Sequence, residues 1–215
     1  MRLVFDHLAV VAADLEAGAD WARERLGVDM DIGGAHPKMG THNRLTRTGA
    51  DNFLEIIAID PERADPGRVR WYRMDDPAVR EMTKTRPRPL SWVVATDDLD
   101  AVLGLARDLG LDLGEAVQVS RGDLTWRITV RDDGDLPEGG TLPVFIQWPE
   151  GPHPASRMPD LGLSISKLVL RHPDPEHLGR LLAALGVRNM VELEAGRAGI
   201  AAEISRSDGP SVLID

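Results

Sequence analysis

The chain has 215 residues, 42% of them hydrophobic and 28% charged, with a formal net charge of −10 and no cysteine. This is globular composition, and the acidic balance argues against a nucleic-acid partner, which needs a basic surface. Without thiols there are no disulfides and no thiolate metal centres, so any metal must be held by His, carboxylate, amide or water. No apolar run approaches the roughly 20 residues of a membrane span. Asp6 and His7 interrupt the short apolar start, which argues against a signal peptide. The expectation is a soluble, cytoplasmic protein.

Residues 3–11, LVFDHLAVV, read as a strand. Asp14 then stands as a helix N-cap, Leu15, Ala19, Ala22 and Leu26 recur at helical spacing, and Gly27 ends the pattern. Three strands follow, at 28–33, 42–48 and 52–59. Residues 60–88 break the rhythm with proline and charge. Within them a short helix from Pro77 to about Thr85 starts after Asp76, and Trp71, Tyr72 and Met82 make the stretch a packed linker.

The pattern then restarts. A strand at 90–96 leads to Asp98 as cap, Leu99, Val102, Leu103 and Ala106 on one helix face, Gly110 as stop, and strands at 115–120, 124–131 and 142–148. It restarts again with a strand at 163–170, Asp174-Pro175 as helix start, Leu178, Leu181, Leu182 and Leu185 as a buried stripe, Gly186 as stop, and short strands at 190–195, 199–205 and 211–214. The spacings Asp14–Gly27, Asp98–Gly110 and Asp174–Gly186 are nearly equal. A period of about 80 residues is an internal duplication, too long for a solenoid repeat. The fold class expected is α+β, built from βαβββ modules. A first domain at 1–155 holds modules 3–59 and 89–149 with linker 60–88, and a third module occupies 160–215. The third module's apolar face must be buried, against the first two or against a second chain in a homodimer.

Chemistry-bearing residues concentrate in the first module. His7 and Glu55 lie on strands expected to be neighbours. They suit a Zn, Mn, Fe or Ni ion, an acid–base pair with Glu55 as the base, or a buried hydrogen bond that only holds the sheet. His36 and His42 sit in the GGAHPKMGTHN stretch, where Gly33, Gly34 and Gly40 permit close approach or a sharp turn. Asn43 or Arg44 can orient a substrate carboxylate or carbonyl, but strand alternation forbids His42 and Asn43 from facing the same way. Trp126 is a core or pocket-wall residue, Arg127 faces the other way, and Arg121 and Arg131 are expected in solvent. His153 follows the second module, where a pocket rim belongs. His172 and His177 are expected at the surface. There is no G-x-G-x-x-G, P-loop or G-x-S-x-G pattern.

The runs DHLAVVAADLEAGADWARERLGV, HPKMGTHNRL, FLEIIAIDP and LPVFIQWPEGPHPA resemble the glyoxalase-like branch of the vicinal oxygen chelate superfamily, which groups glyoxalase I, bleomycin-resistance proteins and extradiol dioxygenases. The resemblance implies a curved sheet around a cavity, with metal ligands drawn from the first and last strand of each module. Carried over by position, these are His7, Glu55, Ser91 and Gln147. Ser91 departs from the family's His, Glu or Gln, and His42 is the candidate to replace it. The implied function is a metal-assisted lyase or isomerase acting on a small carbonyl or hydroxy-acid compound. His7, Glu55 and His42 would serve as metal ligands, Glu55 and His42 as catalytic groups, and Asn43, Arg44, Trp126, Gln147 and His153 as substrate contacts. The alternative is a small-molecule binding protein of the bleomycin-resistance type, which sequesters its ligand without turnover.

Overall fold

The computed structural model describes residues 1–30 and 32–215, with Ile32 described for its backbone alone. The elements alternate as the repeat predicts. The first module comprises β1 (Leu3–Val11), α1 (Leu15–Leu26), β2 (Ile32–His36), β3 (Thr41–Arg47) and β4 (Phe53–Ile59). The helix α2 (Pro77–Thr85) precedes the second module, which comprises β5 (Arg88–Thr96), α3 (Leu99–Asp108), β6 (Glu115–Arg121), β7 (Leu124–Val130) and β8 (Val144–Gln147). The C-terminal module comprises β9 (Leu163–His172), α4 (Pro175–Ala184), β10 (Glu192–Ala195), β11 (Gly199–Arg206) and β12 (Gly209–Ile214).

The caps carry the repeat. The side chains of Asp14, Asp98 and Asp174 each accept a backbone N–H three residues on, at 2.8–2.9 Å. Each satisfies one of the donors that a helix start leaves orphaned. Gly27, Gly110 and Gly186 all adopt the left-handed conformation that stops a helix. The strand expected at 28–33 includes Asp31, outside the described residues, and pairing starts at Ile32. His36 is therefore a strand residue, opposite Thr41 across a tight turn, and not part of a long loop.

Two modules form one eight-stranded sheet in the order β2-β3-β4-β1-β5-β8-β7-β6. The central pair β1–β5 is antiparallel, and β1–β4 and β5–β8 are parallel, which relates the modules by an approximate twofold. The edge strands β2 and β6 approach each other, so the sheet curls into a nearly closed half-barrel. Its convex face packs Leu8, Val10, Leu54, Ile56, Trp92 and Phe145 against the buried stripes of α1 and α3. Its concave face carries Ala9, Val11, Ile57, Val93 and Val144.

The segment 60–88 does more than connect. Trp71, Tyr72 and Met74 are buried at 4%, 2% and 2% exposure among the concave-face residues, so this stretch plugs the half-barrel. Tyr72 and Arg73 hold φ of 56° and 57°, a left-handed pair that is costly for side chains of this size and that is sustained by the packing around it.

The C-terminal module keeps the β-α-β-β-β order but pairs differently. Its sheet runs β10-β9-β11-β12, with β9 inside between β10 and β11, whereas β1 and β5 pair with the last strand of their own module and with each other. Leu168, Leu170, Ile200, Ala202 and Ile204 join the same core as the convex face, and β11 lies against β5. The third apolar face is thus buried within the chain. Truncation after Asp160 uncovers that core and is expected to give aggregated protein. Size-exclusion chromatography with circular dichroism checks this, and a soluble, folded, monomeric fragment would contradict it.

Candidate functional site

The site begins with an irregularity in β1. The β1–β5 register pairs Phe5 with Val94 and His7 with Val93, so Asp6 is the extra residue of a bulge. The bulge lets two consecutive side chains meet, and Asp6 Oδ1 lies 2.5 Å from His7 Nδ1. Asp6 is fully buried, a position that an ionised carboxylate tolerates only when its lone pairs are taken. They are: the Trp148 indole N–H donates to Oδ2 at 2.7 Å, and His153 Nε2 lies 3.0 Å from the same oxygen. The Ala155 backbone N–H donates to His153 Nδ1 at 3.2 Å, so the His153 proton sits on Nε2 and points at Asp6. Burial pushes the Asp6 pKa up, but hydrogen bonds from His153 and His7 outweigh it and hold the group below its ordinary value of 3.8.

With Nδ1 committed to Asp6, the free nitrogen of His7 is Nε2. It faces Glu55 Oε2 across 3.6 Å, too far for a good hydrogen bond. The His7 ring stacks on Phe53, centroids 4.4 Å apart, which fixes its plane. The other oxygen of Glu55 is occupied, because Asn43 Nδ2 donates to Oε1 at 2.6 Å. Asn43 Oδ1 accepts from Gly34 N at 3.1 Å and from Arg121 Nη1 at 3.4 Å, which sets the amide orientation. The second Asn43 N–H then meets His36 Nε2 at 3.3 Å, so the His36 proton lies on Nδ1, donating to Thr41 Oγ1 at 3.1 Å. Burial of the ring pulls the His36 pKa down from 6.5 to about 3, and the nearby Arg121 adds to the shift.

Trp71, Tyr72, Trp126, Ile146 and Trp148 wall this cluster, and the space they leave is about 20 Å³, room for one water. Trp71 and Trp126 each meet the His36 ring in a T-shaped contact, and among the described residues neither buried indole N–H has an acceptor. The Tyr72 phenol is pushed well above its usual value of 10.0 by burial, with Glu55 and Asp6 adding, so it stays protonated. Arg121 lies over Gly34, where an added Cβ would meet its Cγ at 2.8 Å, so the glycine gives the guanidinium its path to the cluster. Burial lowers the Arg121 pKa while Glu55 opposes that shift, and among the described residues this guanidinium is the one Lys or Arg group in direct contact with the network.

Of the residues singled out by sequence, the structure brings together His7, Glu55, Asn43, Trp126 and His153. Three others lie elsewhere. His42 pairs opposite Ala58, a convex-face residue, with Nδ1 4.0 Å from Asp60, because Asn43 takes the concave position. Arg44 shares the side of His42 and bonds Glu16 of α1 at 3.1 Å. Gln147 accepts from Leu99 N at the start of α3 and donates to Asp97 O, on the convex side. The register explains Gln147: Ala9 pairs with Glu55 and its equivalent Val93 pairs with Val144, so Val144 is the counterpart of Glu55.

His36, from the GGAHPKMGTHN stretch, joins the site, while Asp6, Trp71, Tyr72 and Arg121 enter it unforeseen, and Arg121 is not in free solvent. Asp6 had a legible signal, an acid beside a histidine inside an apolar strand. Arg121 had none, since only closure of β2 toward β6 brings it in. His172 is also buried, at 8% exposure and 3.1 Å from Glu138, rather than at the surface.

The donor set does not complete a divalent-metal site. His7 Nε2 and Glu55 Oε2 converge, but the other two inward positions hold Ser91, a buried hydroxyl without a partner among the described residues, and Val144. Among the described residues no group of three His, Cys, Asp or Glu is placed to hold a metal ion.

The sequence matches the model of the glyoxalase-like domain over residues 5–186. The chain belongs to that family. The match runs past the second module and through α4, so the family unit includes the start of the C-terminal module. No curated protein matches the chain. Among solved structures, a hypothetical protein from Staphylococcus aureus is 18% identical over 100% of this chain and 86% of its own, with a TM-score of 0.63, and shares the fold. Methylmalonyl-CoA epimerase from Mycobacterium tuberculosis is 19% identical over 69% of this chain and 88% of its own, with a TM-score of 0.46. A hypothetical protein from Bacillus halodurans C-125 is 10% identical over 70% and 96%, with a TM-score of 0.44. No described helix is long and apolar enough to cross a membrane.

The His36 shift has a consequence for stability. Its folded-state value of about 3 lies below the unfolded value of 6.5, so between them the unfolded chain binds the extra proton. His36 therefore contributes stability that is present above pH 6.5 and lost as pH falls toward 3, at up to about 1.4 kcal/mol per pH unit. Urea unfolding at a series of pH values is expected to show this slope in the wild type and a clearly flatter one in His36→Gln.

Proposed function

We propose that this glyoxalase-like pocket transfers a proton at a carbon next to a carbonyl, which is isomerase or lyase chemistry on a small carbonyl or hydroxy-acid compound. The observation that carries the reading is the convergence of His7 Nε2 and Glu55 Oε2 at 3.6 Å in a buried pocket, with each group's other polar atom already engaged. Two titratable groups left with one free atom each, aimed at the same spot, are arranged to pass a proton through whatever sits between them. Their gap is long for a hydrogen bond, as is common where a substrate completes the contact.

In this reading Glu55 Oε2 takes the carbon-bound proton, and the electron pair of that C–H bond moves onto the carbonyl oxygen as an enolate. Arg121 lies beside the network and supplies the positive charge that stabilises the oxyanion. The unpartnered indole N–H groups of Trp71 and Trp126 are further donors at the same wall. His7 Nε2, unprotonated while the Nδ1 proton faces Asp6, takes the abstracted proton over from Glu55 and returns it to the product carbon, which restores both groups. Asp6 thus acts as a positioning residue, fixing the tautomer and ring orientation of His7 through its contact with Nδ1. The step needs no metal from this donor set. If a divalent ion is bound, His7 and Glu55 are the residues that hold it, and it supplies Lewis-acid polarisation of the carbonyl.

A substrate exceeds the 20 Å³ left in the closed pocket. The wall that can yield is the Trp71–Met74 plug, which belongs to neither module's sheet. The second reading, a binding protein without turnover, is favoured by the absence of metal-ligating groups at Ser91 and Val144, and it uses the same pocket.

Deuterium exchange separates the two. A panel of small 2-oxo acids, 2-hydroxy acids and α-hydroxy ketones is incubated with the protein in D₂O and followed by proton NMR, alongside tryptophan fluorescence. The proposal expects loss of an α-proton signal with at least one compound, slowed about 100-fold or more in Glu55→Gln. Fluorescence quenching without exchange supports the binding reading. Elemental analysis of untagged protein, with His7→Ala as control, decides the metal: one equivalent lost on substitution would add an ion to the mechanism.

A further inference from the structure

A second cavity lies on another side of the molecule, and the glyoxalase-like pocket makes no use of it. It is a cleft of about 320 Å³ where the C-terminal sheet meets α2 and the start of β5. Its volume is in the range of small-molecule sites, far larger than the closed pocket between His7 and Glu55.

The lining is unusual for a chain of net charge −10. Arg73, Arg88, Arg171 and Arg197 all face the cleft, with Asp215 as its one carboxylate. Two of the four are engaged: Arg73 with Asp76 and Asp135, and Arg171 with Glu194 at 3.3 Å. Asp215 is taken by Arg86 at 2.8 Å. Among the described residues, Arg88 and Arg197 have no carboxylate within ion-pair distance. Arg88 Nε is also buried and without an acceptor. A buried donor left unpaired costs free energy, and the four guanidiniums repel one another with only Asp215 near Arg88 and Arg171 as counter-charge, its carboxylate already held by Arg86. Both costs are relieved by one anion seated between Arg88 and Arg197. The remaining walls include Val79, Met82 and Leu90, which offer apolar surface beside the charge.

We propose that this cleft is a binding site for a phosphate monoester with a small apolar body. The two guanidiniums without an ion-pair partner among the described residues match a dianion, and guanidinium presents paired N–H groups suited to phosphate oxygens. A carboxylate would neutralise only one of them. Inorganic phosphate would leave the apolar wall unused. Because the cleft is built from α2, β5 and the C-terminal module, it explains a functional use for a module that carries no part of the first site.

Isothermal titration calorimetry on the full chain tests this with phenyl phosphate, inorganic phosphate and benzoate. The expected result is one-to-one binding of phenyl phosphate below about 1 mM, at least about tenfold tighter than either of the others, and weakened about tenfold by Arg88→Gln and by Arg197→Gln. Arg197 is exposed, so its substitution leaves the fold intact even if Arg88→Gln misfolds. Arg131→Gln, whose partners Asp112 and Asp133 lie outside the cleft, is the control and should leave affinity unchanged. No binding, equal affinity for the three ligands, or binding indifferent to Arg197→Gln overturns the proposal.

Discussion

A carboxylate without water is the constraint around which the site is arranged. Asp6 is fully buried, and it stays ionised because His7, Trp148 and His153 all give it a proton-bearing nitrogen. These donors come from β1, from the residue just after β8 and from the turn that leads to the C-terminal module. One ionic centre therefore ties the first strand to the end of the second module. Removing a buried charge's partner typically costs about 3–5 kcal/mol, so these donors are held in place together. The orientation of His7 follows from this, and the face that it presents to Glu55 follows in turn.

The network extends from there in only one consistent way. Glu55 uses one oxygen on Asn43, Asn43 fixes His36 as a neutral ring, and Arg121 closes the chain from the far edge of the sheet. Each assignment removes a degree of freedom from the next, so one pair of atoms, His7 Nε2 and Glu55 Oε2, is left free and facing. Chemistry is concentrated in the first module because the second fills the equivalent positions with Ser91 and Val144. The duplicated fold thus supplies two halves of a container and one half of its contents.

Much of this was legible in the residues. The three capped helices, the duplication, and His7, Glu55, Asn43, Trp126 and His153 follow from periodicity, cap chemistry and the family likeness. What escaped was set by features that a sequence pattern does not encode. A bulge rotates Asp6 to the side of His7 and defeats simple alternation. Alternation itself sends His42 and Arg44 to the convex face once Asn43 turns inward. A loop of different length before β8 shifts the second module by enough to put Val144 where Gln147 was expected. Arg121 and the Trp71–Tyr72 pair reach the pocket through long-range closure. The C-terminal module repeats the element order, yet its strand pairing differs, because order along the chain does not fix which strands become neighbours.

The plug formed by Trp71, Tyr72 and Met74 bears on how such a protein changes its ligand. In most pockets the walls and the catalytic groups share the same strands, so enlarging one disturbs the other. Here the volume is governed by a few side chains on a connecting segment, while the acid–base groups stand on strands that the segment merely covers. Shortening those side chains would widen the chamber and leave the Asp6–His7–Glu55 geometry where it is. Size selectivity and chemistry are thereby inherited from different stretches of the chain, and they are free to diverge at different rates.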